Sequence, residues 1–109
     1  MKRIVWTLLL LVGCIYGLQA ENYVFATYNI RNANQSDSLA GNGWGQRYPY
    51  IVQQVQFYGF DVFGTQEGKY HQLQDMKQAL PNYDYIGVGR DDGKQAGEYS
   101  AIFYRTDKF

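Results

Sequence analysis

The hydrophobic period of this chain switches repeatedly between two residues and 3.6, and that switching restricts it to a layered arrangement of strands and helices. "NYVFATYNIR" (22–31) alternates around β-forming residues, as a half-buried strand does. "RYPYIVQQVQFYG" (47–59) instead sets Ile51, Val52, Val55 and Tyr58 in one helical stripe, with Pro49 tolerable in a first turn and Gly59 a natural stop. "DVFGTQ" (61–66) is a short apolar strand. "KYHQLQDMKQAL" (69–80) places Leu73, Met76 and Leu80 on one helical face and ends at Pro81. "YDYIGVG" (83–89) and "EYSAIFYR" (98–105) read as two further strands around the turn-rich "RDDGKQAG" (90–97). "NANQSDSLAGNGWG" (32–45), rich in Asn, Ser and Gly, reads as a loop. The order is β-α-β-α-β-β, a mixed α/β chain that begins in layers and turns to consecutive strands.

Composition is globular, not disordered: 46% of the 109 residues are hydrophobic and 18% charged. Aromatics reach 17%, with 11 Tyr, which suits half-buried strands. The first 20 residues read as a signal peptide: a basic "MKR", the apolar "IVWTLLLLVGCIYGL" and a cleavage site after "LQA". The apolar run is shorter than a membrane span and no charged stop-transfer pattern follows it, so an exported chain with no transmembrane span is expected. "LVGC" offers the alternative of a lipoprotein anchored through Cys14, although "IYGL" keeps the stretch apolar beyond it. Of the 10 Lys and Arg, Lys2 and Arg3 lie in that segment, leaving eight against 10 acidic residues and no cysteine. The remainder needs no disulfide framework and carries no basic stripe for non-specific nucleic-acid binding.

Three polar residues fall where strands end or begin: Asn29, Glu67 and Glu98. Strand ends in α/β folds commonly carry ligand groups. An amide oxygen and a carboxylate on neighbouring strand ends suit a hard cation, Mg²⁺ or Mn²⁺, that keeps several waters and could act on a phosphate ester. The same residues admit a structural reading, with Asn29 satisfying a loop and Glu67 capping the next helix. From spacing alone the structural reading is the preferred one. His71 stands four residues after Glu67, but Gly68 and the strand-end position of Glu67 argue against a shared helix, so His71 is expected to be a solvated helical residue.

Together "TYNIR", "GTQEG", "GVGRDDG" and "GEYSAIFYR" resemble, in order and spacing, the endonuclease/exonuclease/phosphatase superfamily, which includes DNase I and the exonuclease III-type nucleases. The resemblance covers about residues 22–109 and looks nearest to secreted bacterial members. It implies a four-layered α/β/β/α sandwich, DNase I-like, of which residues 21–109 would be the N-terminal part, and metal-dependent hydrolysis of phosphoesters. On that resemblance Asn29 and Glu67 match the metal-site residues, Glu98 matches the acidic residue that orients a catalytic histidine, and Arg31 matches a position that can face the substrate phosphate. Arg90, with Asp91, could face substrate as well, or belong to an Asp-stabilised turn. The family's Asp-x-Asn motif and terminal Asp-His pair do not occur in these 109 residues, so the chain alone is expected to be inactive. The substrate could be nucleic acid, a lipid head group, an inositol phosphate or a sugar phosphate, and no protein partner is implied. The alternative class is a non-catalytic exported binding domain, with Tyr and Trp44 stacking on sugars or bases.

Overall fold

A computed structural model describes residues 22–109; the expected signal peptide (1–20), including Cys14, lies outside the described residues. Four strands form one sheet: β1 (Phe25–Asn29), β2 (Val62–Gly68), β3 (Tyr83–Ile86) and β4 (Tyr99–Arg105). Their spatial order is β1-β2-β4-β3, with β1 parallel to β2 and both neighbours of β4 antiparallel to it. The parallel pair is joined by a helical crossover, as parallel strands require. That crossover contains α1 (Gln35–Leu39) and α2 (Trp44–Tyr58), and α3 (Tyr70–Ala79) follows β2.

Alternation along the strands divides the sheet into two faces. Phe63, Ala101 and Phe103 are buried with Ile51, Val52 and Val55 of α2 and Leu73 and Met76 of α3. The Phe63 and Phe103 rings stack at 5.0 Å between centroids, with Tyr85 5.1 Å from Phe103. Burying a side chain such as Phe63 or Leu73 contributes about 1.5–3 kcal/mol each, so this face holds the layers together. On the other face Phe25, Ile86 and Ile102 are exposed.

Three details differ from the reading of the sequence. The segment 32–45 is not all loop, because Asn34 caps a short helix: its Oδ1 accepts from the Asp37 amide at 2.8 Å. Helix α2 starts at Trp44, since Gln46 Oε1 accepts the Gly43 amide at 3.0 Å and fixes the first turn. Pro49 is therefore the sixth helical residue, and the carbonyl its missing N–H leaves unpaired belongs to the exposed Gly45. The third strand stops at Ile86; only an isolated bridge, Gly89 to Tyr99, continues the pairing. Gly59 ends α2 as expected, in the left-handed conformation at φ 63°. Trp44 is buried: it stacks on Tyr48 at 5.5 Å and its Nε1 donates to Asp75 at 2.9 Å, so it is a core residue and not a platform for sugars or bases.

Candidate functional site

Glu67 owes its position to a break in the β2–β4 ladder. Thr65 pairs with Ala101 and Gly68 with Tyr99, so Gln66 and Glu67 together oppose Ser100 alone. This β-bulge breaks the strict alternation of the strand. As a result Gln66 and Glu67 both line one cleft, where an unbroken pleat would turn neighbouring side chains to opposite sides. Glu67 takes φ 65°, which side-chain-bearing residues seldom adopt. The cleft has a volume of about 500 Å³ and is also lined by Val88, Arg90, Glu98 and Ser100.

The carboxylate is held by amides. Asn29 Nδ2 donates to Glu67 Oε2. Asn32 Nδ2 lies 3.5 Å from Glu67 Oε1 and 2.9 Å from Glu98 Oε1, so one amide nitrogen joins two carboxylates. Asn29 Oδ1 accepts the Arg31 backbone N–H at 2.9 Å. Asn29 thus turns its nitrogen, not its oxygen, toward Glu67. Glu67 does not cap α3; Gln72 Oε1 takes the Lys69 amide at 3.0 Å instead.

Arg90 sits at the cleft with its guanidinium exposed, 3.7 Å from Glu98 and 3.7 Å from Asp91. The adjoining turn is held by Asp92, whose Oδ1 accepts from Lys94 at 2.7 Å and Ala96 at 3.0 Å. Those backbone N–H groups, Ala96 first, hold the Asp92 carboxyl below its ordinary range. Arg31 is directed elsewhere. Its Nε and Nη2 pair with Asp37 at 2.6 and 3.0 Å, and the Arg31 hydrogen bond holds the Asp37 carboxyl low against the cost of burial. Arg31 also has φ 56°. His71 is an exposed residue of α3.

Asn29, Glu67, Glu98 and Arg90 are therefore brought to one end of the sheet, and Arg31 is drawn aside. Reading the sequence missed Asn32, which joins the acidic pair. Its only signal is its place in the turn that leaves β1.

The donors suit a hard cation. Among the described residues no lysine or arginine ion-pairs with Glu67, and its oxygens are met by neutral amides. Among those residues there is also no cluster of three or more His, Cys, Asp or Glu side chains. The fit is to an ion held through one carboxylate and water, as Mg²⁺ commonly is, and not to an all-protein cage. No helix of the described residues is long and apolar enough to cross a membrane.

No protein-family model and no curated protein matches the chain. Solved structures do. One is a mannosyl-6-phosphatase of Bacteroides thetaiotaomicron VPI-5482, 70% identical, with TM-score 0.78 over 79% of this chain and 32% of that one. An endonuclease/exonuclease/phosphatase family protein from Bacteroides thetaiotaomicron is 68% identical, with TM-score 0.80 over 82% and 33%. Its counterpart from Bacteroides vulgatus is 49% identical, with TM-score 0.72 over 76% and 31%. The chain spans about a third of the length of the structures it matches.

Proposed function

The chain belongs to the endonuclease/exonuclease/phosphatase superfamily, and we propose from that premise that the whole protein is a divalent-cation-dependent phosphoester hydrolase whose working carboxylate is Glu67. The observation that carries this reading is the bulge at Gln66 and Glu67, which sets a carboxylate with no cationic partner among the described residues into an open cleft. A bound Mg²⁺ or Mn²⁺ would supply Lewis acidity toward a phosphoryl oxygen. Around it, Asn29 and Asn32 orient Glu67, so that the negative charge keeps a fixed direction. Glu98 stands behind Asn32, where it could fix an imidazole's tautomer. That histidine would have to come from outside these 109 residues, whose one histidine is His71. Arg90 is the substrate-facing cation of this reading, because its 3.7 Å contacts are long ones that a phosphate oxygen could replace.

The substrate class we favour is a sugar phosphate monoester. A structure 70% identical to this chain is named a mannosyl-6-phosphatase, and the cleft is within the size range of small-molecule sites. The test is phosphate release from mannose 6-phosphate by the full-length protein, with a phosphodiester as the alternative substrate. Turnover is expected to stop with chelator and return with Mg²⁺ or Mn²⁺. Glu67→Gln is expected to lower it by about 100-fold or more. Undiminished turnover in chelator, or a wild-type rate in Glu67→Gln, would sink the reading. Diester cleavage alone would move the substrate class.

A further inference from the structure

Among the described residues Gln72 is the one fully buried amide side chain of the helices, whereas Gln74 and Gln78 of the same helix are exposed. Its partners explain the burial. Oε1 accepts from the Ala33 amide at 2.9 Å as well as from Lys69, and Nε2 donates to the Arg31 carbonyl at 2.9 Å. The turn leaving β1 is gripped from two further sides. Arg47 of α2 donates to the Ile30 carbonyl at 2.7 Å and the Arg31 carbonyl at 3.2 Å, and Lys69 Nζ donates to the Ala33 carbonyl at 3.1 Å. The backbone on both sides of Asn32 is thus fixed from the core by one side chain of α3. Asn32 in turn spans Glu67 and Glu98.

We infer that Gln72 is a positioning residue for the Glu67 site: it sets the Arg31–Ala33 turn so that Asn32 stands between the two carboxylates. This rests on the reading of Glu67 as the working carboxylate. Removing the Gln72 amide takes away the acceptor of the Ala33 N–H and leaves the Arg31 C=O to Arg47 alone, so the turn, and not the core, is what should move. Shells of this kind typically change metal affinity or rate by about 10–100-fold when removed.

The test uses the full-length protein with Gln72→Met, which keeps an unbranched chain without the amide. Leu80→Ala is the control, a core truncation at the opposite end of α3. Three readouts are taken at a temperature where every variant is folded: kcat and KM on mannose 6-phosphate, Mn²⁺ affinity, and backbone amide exchange at residues 31–33. Gln72→Met is expected to lose about tenfold or more in kcat with little change in KM, to bind Mn²⁺ correspondingly less tightly, and to exchange faster at the turn. Leu80→Ala is expected to lower the melting temperature while leaving all three near wild type. Wild-type kcat and Mn²⁺ affinity in Gln72→Met would overturn the inference, as would equal losses in Leu80→Ala. If the wild-type protein itself neither turns over nor binds Mn²⁺, the proposed function fails separately. The grip on the turn is then decided by exchange alone: faster only in Gln72→Met supports it, unchanged exchange removes it.

Discussion

Glu67, near the end of β2, and Arg31, in the turn leaving the neighbouring β1, both hold left-handed backbone, at φ 65° and 56°. A side chain in that region costs about 1–2 kcal/mol, and such strain tends to collect where a site needs a group aimed off the regular direction. The strain can be separated from the chemistry with two variants. Glu67→Gln keeps the backbone cost and removes the charge, whereas Glu67→Gly removes both. In the full-length protein without added metal, Glu67→Gly is expected to be the more stable of the two by up to about 1 kcal/mol, after the entropy of glycine in the unfolded chain offsets part of the relief. Equal melting temperatures would mean that the strain relieved is no larger than the loss of the side-chain contacts with Asn29 and Asn32. Glu67 was legible as a site candidate because a charge at the end of an apolar run is conspicuous. Asn32 and Gln72 were not, because an Asn in an Asn-rich loop and a Gln on a polar helix carry no local signal. Their roles arise from contacts between positions 32, 67, 72 and 98.

At the scale of elements, one buried acid ties three strands. Asp61, just before β2, accepts the Val24 amide at 2.7 Å ahead of β1 and the Lys108 ammonium at 2.7 Å beyond β4, with Arg105 at 3.9 Å. The Lys108 hydrogen bond, then the Val24 N–H, hold its carboxyl below the ordinary range against desolvation. A carboxyl depressed in the folded state stabilises above its unfolded value of about 3.9 and loses that contribution as pH falls through the folded value. Asp61→Asn should therefore lower the melting temperature at pH 7, and the gap from wild type should close progressively below about pH 4. A gap that is constant between pH 7 and pH 3 would contradict this. The four strands and the two longer helices were readable from period alone. The first helix was not, since "QSDSL" has no apolar stripe and depends on the Asn34 cap. The true start of α2 was hidden by Gly43 and Gly45, which look like loop residues until the Gln46 side chain closes on the Gly43 amide.

For the molecule as a whole, the helices cover one face of the sheet and leave Phe25, Ile86 and Ile102 exposed on the other. Solitary exposed apolar residues are ordinary, but several on one sheet face mark a surface that another layer covers. In a DNase I-like sandwich that layer is a second sheet, and this chain spans about a third of the matching structures. Residues 22–109 produced alone are accordingly expected to self-associate and bind a hydrophobic dye, which light scattering and dye fluorescence would check. A monodisperse, dye-silent monomer would count against it. The bulge at Gln66 and Glu67 has a consequence for anyone redesigning such a protein. Shortening β2 by one residue there would restore an unbroken ladder to β4 and give a more regular sheet. A procedure rewarding backbone regularity would make that deletion, and regularity alone would not tell it to spare Glu67 rather than Gln66.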